Sequence, residues 1–176
     1  RWVSSIRHTL ATLSPELSAD RMVREYVERL YIPASHAERQ ISAEGYQPAR
    51  DLAAWKARVT AAWPNVHVTH VESGGVDSVP QVGDELHVRA HVDLDGLTPD
   101  DVRVEVVYGG AREGDLLVDV SREPLSLTAH DLGQQATFTG TVPLSRAGSF
   151  GYNVRVVPWH PLLASPAELG LIAVAE

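Results

Sequence analysis

Histidines are the side chains in this sequence with the clearest potential for metal chemistry. The chain has eight of them among 176 residues. His87 and His91 lie on the same side of a predicted strand, and His67 joins them if its own strand pairs alongside. Zinc needs three or four such ligands converging on one point, usually with supporting hydrogen bonds. The alternative is a solvated sheet face that carries histidines at alternate positions. We favour that interpretation and predict no metal site.

Two short motifs resemble catalytic ones on paper. Asp100-Asp101 is a pair of neighbouring carboxylates, but glycoside hydrolysis needs two carboxyl groups about 5 to 10 Å apart across a cleft. Adjacent residues entering a strand point to opposite sides, so we predict turn residues here. Gly109-Gly110 has neither the Lys-Ser/Thr of a phosphate-binding loop nor a GxGxxG pattern, and we predict a hairpin turn.

Amine and thiol chemistry is nearly absent from the sequence. Cysteine does not occur, which excludes disulfides, thiolate metal sites and cysteine nucleophiles. Lys56 is the only lysine, so it is the one side chain that can form a Schiff base. It falls in a predicted amphipathic helix without neighbouring glycines.

Trp159 and His160 stand in the segment Pro158-Trp159-His160-Pro161, just after an apolar strand. A tryptophan in a loop can stack on a sugar ring, which makes these two residues a candidate glycan contact. The same residues can instead anchor the domain on a neighbouring domain. Both interpretations remain open, and we favour the anchor.

Four short helices are predicted to precede any strand. Ser14-Pro15 interrupts the first helix, Ser18 caps the second, and Pro33 is expected to end the second. Gly45 is a stop for the third helix, and Pro48 suits the first turn of the fourth. Apolar residues repeat at intervals of three and four in the first helix, at Trp2, Ile6, Leu10 and Leu13.

After Pro64 the pattern changes to the alternation of β-strands. Short alternating segments separated by turn residues are typical of a two-sheet antiparallel sandwich of immunoglobulin-like shape. The expected fold class is α+β, with a helical segment over residues 1–64 and a β-sandwich accessory domain over 65–176. The predicted strands are 66–71, 86–92, 102–108, 117–120, 124–129, 136–142, 152–156 and 171–174.

Charge and hydropathy exclude several partners. The net charge of −8 opposes binding to nucleic acid, and no basic stripe offsets it. No apolar run approaches the roughly 20 residues that cross a bilayer, and no signal peptide is visible. The chain starts at Arg1 without an initiator methionine, which predicts that it continues a longer polypeptide. We expect a cytoplasmic location.

Several stretches together resemble one enzyme family. The most specific is Arg21-Met22-Val23-Arg24-Glu25-Tyr26, followed by Leu30-Tyr31-Ile32-Pro33-Ala34. The others are Leu52-Ala53-Ala54-Trp55-Lys56-Ala57-Arg58-Val59, Trp63-Pro64-Asn65-Val66, Leu97-Thr98-Pro99-Asp100-Asp101-Val102 and Val154-Arg155-Val156-Val157-Pro158-Trp159-His160-Pro161. They resemble the C-terminal region of bacterial and archaeal α-glucan phosphorylases, over nearly the whole chain.

The resemblance implies a parent glycosyltransferase that releases glucose 1-phosphate from α-1,4-glucans and holds pyridoxal phosphate on a lysine. That lysine belongs to a glycine-rich segment of the family, and no such segment occurs here, because Lys56 has no glycines around it. The resemblance therefore implies neither a catalytic nor a cofactor-binding residue in this chain, and the cofactor, phosphate and glucan sites are expected upstream. The fragment is then a structural or accessory module, whose partners are the upstream catalytic lobes and, in one interpretation, α-glucan. The alternative is a stand-alone carbohydrate-binding or oligomerisation sandwich.

Overall fold

A computed structural model describes residues 1–76, 81–114, 116–130 and 135–175 of the chain. The chain divides into two compact units, Arg1–Leu52 (the N-terminal unit) and Ala53–Glu176 (the C-terminal unit). Helices come first and two antiparallel sheets follow, which confirms the predicted α+β class. No helix in the described ranges is long and apolar enough to cross a membrane.

The N-terminal unit begins with helices α1 (Trp2–Leu17) and α2 (Ala19–Tyr26). Pro15 lies inside the last turn of α1, so the helix continues slightly beyond the predicted interruption. The Ser18 hydroxyl accepts a hydrogen bond from the Arg21 backbone N–H at 3.2 Å. This is the N-cap of α2 that the sequence predicts, and it satisfies one of the donors that every helix start leaves unpaired.

The prediction that Pro33 ends the second helix is wrong. A π-helical turn, Val27–Tyr31, follows α2, and helix α3 (Ile32–Ala62) continues directly from it. Within this wider turn the Ile32 N–H reaches the carbonyl of Val27, five residues back. A π-turn changes the hydrogen-bonding ladder locally. Pro33 falls in the first turn after that change, where its missing N–H costs little.

Helix α3 is interrupted where the sequence predicts the end of one helix and the start of another. Glu44, Gly45 and Tyr46 have φ values of 49°, 64° and 69°, all in the left-handed region. Glycine adopts this conformation without a steric penalty, whereas the two flanking residues do not. Helical geometry resumes before Pro48 and continues to Ala62, which confirms the predicted break.

All eight predicted strand segments form strands; six are longer than the sequence pattern indicates, and β5 and β8 are shorter. Their order is β1-β2-β6-β5 in the first sheet and β4-β3-β7-β8 in the second, and all neighbouring strands are antiparallel. The strands are β1 (His67–Gly74), β2 (Glu85–Asp93), β3 (Val102–Ala111), β4 (Leu117–Pro124), β5 (Ser126–His130), β6 (Gln135–Pro143), β7 (Phe150–Pro158) and β8 (Ala173–Val174).

The core of the C-terminal unit is built from the apolar side of each sheet. Most inward-facing residues of the central strands are buried, because successive side chains of a strand point to opposite faces. Residues 53–62 of α3 add Trp55 and Val59 to the buried set. The fully buried strand residues include Val88, Ala90, Val92, Val104, Val106, Val142, Val154 and Val156.

Gly109-Gly110 does not form the predicted hairpin turn. Both residues lie inside β3, where Gly109 pairs with Gly151 and Gly110 with Phe150. The ladder to β4 is irregular between Tyr108 and Gly110. A Cβ on Gly109 would lie 2.4 Å from the carbonyl oxygen of Val118, so the close approach of two backbones explains the glycine.

Candidate functional site

Among the described residues of the C-terminal unit, the carboxylate of Asp101 has the densest polar contacts. Its Oδ1 accepts hydrogen bonds from Trp55 Nε1 and from one Arg58 nitrogen, each at 2.7 Å. Its Oδ2 accepts from the other Arg58 nitrogen at 2.9 Å and from the backbone N–H and hydroxyl of Thr98, each at 2.8 Å. Five donors therefore converge on one carboxylate, and we call this arrangement the Asp101 clamp.

The clamp joins three elements of the C-terminal unit. Trp55 and Arg58 project from adjacent turns of α3, and Asp101 ends the 3₁₀ turn Pro99–Asp101. The backbone N–H of Trp159, the residue after β7, donates to the carbonyl oxygen of Asp101 at 2.8 Å. Residues far apart in sequence are thereby fixed at the start of β3.

Asp101 is suited to holding structure and unsuited to accepting a proton. Its side chain is only 7% exposed. Burial by itself would raise the pKa of Asp101, but hydrogen bonds from Arg58, Thr98 and Trp55 outweigh it and lower the pKa well below the usual range. A carboxylate that stays ionised and has both oxygens engaged has no lone pair free for general-base chemistry.

Trp159 and His160 border this clamp. The Arg103 guanidinium carbon lies 3.6 Å from the centre of the Trp159 ring, a cation–π contact that covers one face of the indole. The ring centre of His160 is 4.9 Å from that of Trp55. Both residues are half-buried. The structure therefore brings the two predicted contact residues together, and their role as a glycan or domain contact stays a prediction.

Lys56 pairs with a carboxylate of the same unit. Its ammonium donates to Glu168, which lies in the 3₁₀ turn Pro166–Leu169. The hydrogen bond from Lys56, with one from the Ala164 backbone N–H, lowers the pKa of Glu168. The only lysine thus ties α3 to the segment after β7.

Three histidines, His70, His87 and His91, lie on the outer side of the first sheet. The rings of His70 and His91 stack with centres 6.1 Å apart, and the Glu72 carboxylate is 3.7 Å from His70 and 3.9 Å from His91. His87 bonds to the Thr141 hydroxyl instead, at 3.2 Å. In the part of the chain that the structure describes, no three histidine, aspartate or glutamate side chains are arranged to hold a metal ion.

Sequence reasoning missed the Asp101 clamp, although one signal for it was present. The turn prediction for Asp100-Asp101 is confirmed, but it gave both residues the same role. Thr98 and Asp101 have the spacing of a capping box, in which a side chain three residues on returns to the cap backbone. That spacing distinguishes Asp101 from the exposed Asp100.

Fold and contacts together define a two-sheet domain that is clamped to a preceding helix. Residues 63–176 match the family described as "Glycogen phosphorylase C-terminal domain". The chain belongs to this family. The predicted resemblance to the C-terminal region of α-glucan phosphorylases is confirmed.

Similar proteins match over nearly the whole chain. A glycogen phosphorylase of Mycobacterium bovis is 42% identical over 175 residues, and one of Mycobacterium tuberculosis is likewise 42% identical. A maltodextrin phosphorylase of Thermococcus litoralis is 29% identical over 176 residues. These matches cover 98 to 99% of this chain but only 20% of each relative. No solved structure matches.

Proposed function

We propose that this chain is the C-terminal accessory part of an α-glucan phosphorylase, a cytoplasmic glycosyltransferase that releases glucose 1-phosphate from α-1,4-glucans. The support is the match to phosphorylases over a fifth of their length. In this proposal pyridoxal phosphate and the reacting groups belong to upstream lobes, and the chain supplies architecture. The 176-residue chain supplied with pyridoxal phosphate, phosphate and glycogen should then form no glucose 1-phosphate.

The proposed division of labour has a helical segment over residues 1–64, at the end of the catalytic lobe, and an accessory domain over 65–176. We place the second domain among immunoglobulin-like sandwiches. Two four-stranded antiparallel sheets with apolar inner sides support this architecture. Circular dichroism of residues 65–176 and of residues 53–176 tests the division. A cooperative thermal transition in the shorter segment would support it, whereas one in the longer segment alone would refute it, because Trp55 and Val59 belong to the buried core.

One observation carries the architectural role: the N-terminal unit has no core of its own through residue 51. No residue from Arg1 to Asp51 is buried. Trp2 and Leu17 are each 79% exposed and Leu10 is 59% exposed. Short helices of this kind are marginal in water unless an apolar face is covered. The other exposed apolar residues include Val3, Ile6, Leu13, Met22, Val23, Tyr26, Leu30 and Tyr31.

The proposed occupant of this apolar face is the upstream part of the same polypeptide. The relatives are about five times as long as this chain, so most of their sequence lies outside it. Fully burying a side chain such as Leu10 stabilises by about 1.5 to 3 kcal/mol. Several such side chains together can hold the helices against a lobe.

A substitution compared in two contexts tests this role. Leu10→Asp should change the stability of the isolated 176-residue chain by less than about 0.5 kcal/mol, because Leu10 is exposed there. In the full-length polypeptide the same change should lower the melting temperature, since it places a charge in the covered face. Thr9→Asp is the matched control, because Thr9 is exposed and adjacent. Equal effects of Leu10→Asp in both contexts would refute the bracing role.

The competing function is carbohydrate binding at Trp159. It rests on the part of the indole that stays exposed beside His160. Titration of maltoheptaose against the wild type and Trp159→Ala decides between the two functions, because losing a stacking platform weakens binding. Binding that Trp159→Ala abolishes would favour a carbohydrate module. Undetectable binding in both proteins agrees with the accessory role.

A further inference from the structure

A groove of about 480 Å³ lies on the outer side of the second sheet. Its floor includes three arginines from three neighbouring strands, Arg103 of β3, Arg122 of β4 and Arg155 of β7. One carboxylate, Glu105, stands among them. The segment that follows β7 forms the opposite wall with apolar side chains, which include Pro166 and Ile172. The groove is independent of the proposed phosphorylase function.

Two of the three guanidinium groups are held in place. Arg155 donates two hydrogen bonds to one oxygen of Glu105, at 2.7 and 3.0 Å, and Glu105 is only 8% exposed. Arg103 is fixed against the Trp159 ring, its central carbon 3.6 Å from the ring centre. Fixed guanidinium groups lose little side-chain entropy when they bind a ligand.

The third guanidinium group is available. Arg122 is exposed, and it forms no ion pair with any residue that the structure describes. Its strand position is opposite Val107, on the far side of β3 from Arg155. Positive charge therefore exceeds negative charge across the floor, although the whole chain carries a net charge of −8.

A solvated arginine face is the plainer explanation, and the shape of the site argues against it. The arginines do not lie on a flat surface, because the segment after β7 forms a wall along the groove. The volume falls in the range of small-molecule sites, about 300 to 1,000 Å³. Apolar wall residues beside a cationic floor match a ligand with a charged end and an uncharged ring.

We propose that this groove binds a phosphomonoester, with its phosphate on Arg122 and Arg155 and its ring against Pro166 and Ile172. A phosphomonoester carries about 1.5 to 2 negative charges at neutral pH and three acceptor oxygens. Planar guanidinium groups bind such oxygens in pairs, with charge-assisted hydrogen bonds. A ligand with a carboxylate would offer only one negative charge to the arginines. Inorganic phosphate would offer no ring to the apolar wall.

Isothermal titration of the 176-residue chain tests the proposal with phenyl phosphate as the probe. Inorganic phosphate, which has no ring, tests the contribution of the ring. Benzoate, which has a carboxylate instead of a phosphate, tests the contribution of the phosphate. We expect phenyl phosphate to bind most tightly, by about tenfold over each of the others, which corresponds to about 1.4 kcal/mol. Arg122→Gln should weaken phenyl phosphate by about tenfold. Arg122→Lys should recover part of the loss, since lysine keeps the charge without the planar geometry.

The control is Arg112→Gln, an exposed arginine of the same unit outside the groove. It should leave the affinity unchanged, and thermal melting should show that all variants fold. Equal affinities for the three probes would overturn the proposal, because they would indicate non-specific attraction of anions. The proposal would also be overturned if Arg122→Gln and Arg112→Gln lost equal affinity for phenyl phosphate, or if phenyl phosphate did not bind detectably. Each result is independent of phosphorolysis.

Discussion

Replacing Asp101 by alanine should destabilise the C-terminal unit far more than replacing its neighbour Asp100. The two residues are chemically identical and adjacent, but Asp101 is buried and accepts five hydrogen bonds, whereas Asp100 is exposed. The pair therefore isolates the effect of the clamp from the effect of sequence position. Asp100→Ala should stay within about 0.5 kcal/mol of the wild type.

The magnitude follows from the donors that the substitution leaves unpaired. Trp55 is 8% exposed, so its Nε1–H would lose its partner in a buried position, at a cost of about 1 to 3 kcal/mol. Loss of the cap at Thr98 adds about 0.5 to 2 kcal/mol. Arg58 adds little, because half of its side chain is exposed and water replaces the lost ion pair. The expected total is about 1.5 to 5 kcal/mol.

Urea unfolding followed by circular dichroism, with linear extrapolation to water, measures these free energies. Asp101→Asn serves as a third protein, since its amide oxygen can still accept from Trp55. Its NH₂ group, however, must face a donor of Arg58 or Thr98. Asp101→Asn should therefore lose an amount of unfolding free energy between those lost by Asp100→Ala and Asp101→Ala. The reasoning is refuted if Asp101→Ala loses no more free energy of unfolding than Asp100→Ala.

Three further predictions concern the acid response of Asp101, a glycine in β3 and two buried tryptophans. The pKa of Asp101 is lower in the folded chain than the usual value of about 3.9. The contribution of Asp101 to the free energy of unfolding should therefore be present above about pH 4 and be lost as the pH falls below that value. Asp101→Asn should lack this loss. Gly109→Ala should destabilise strongly and Gly74→Ala only slightly, since a Cβ at Gly109 meets the Val118 carbonyl and one at Gly74 meets nothing within 4 Å. Trp55→Phe should cost more than Trp63→Phe, because Trp55 Nε1 donates to Asp101, while the buried Trp63 Nε1 has no hydrogen-bond partner among the described residues.

Each of these predictions has a contradicting result. Parallel stability curves of the wild type and Asp101→Asn between pH 2 and 5 would remove Asp101 from the acid response. Similar melting temperatures for Gly109→Ala and Gly74→Ala would mean that β3 and β4 can move apart at Gly109 without a loss of stability. A larger loss for Trp63→Phe than for Trp55→Phe would show that ring volume outweighs the hydrogen bond.

Sequence patterns predicted the sheets well because strand periodicity is a local property. Leu86, Val88, Ala90 and Val92 alternate with polar residues, and this alone fixes both the strand and its buried side. Pro33 misled the helix prediction for a physical reason. Proline disfavours the helix before it, but the π-helical turn preceding it changed the hydrogen-bonding pattern.

The contacts of the candidate site depend on strand order, which no local pattern gives. Arg103 meets Trp159 because β3 and β7 are antiparallel neighbours, with Arg103 opposite Val157. Asp101 meets Trp55 across 46 positions of sequence. Only the spacing of Thr98 and Asp101 was readable in advance, and it identifies a cap without identifying the helix to which it is tied.

Hydrogen exchange measured on residues 2–31, in the 176-residue chain and in the full-length polypeptide, tests the architectural claim most directly. Helices α1 and α2 have no buried residue in the N-terminal unit, so their amides should exchange rapidly in the isolated chain. In the longer polypeptide we predict at least about 100-fold slower exchange, equivalent to about 2.8 kcal/mol of added local stability. The same exchange rates in both proteins would contradict the claim that upstream lobes cover these helices.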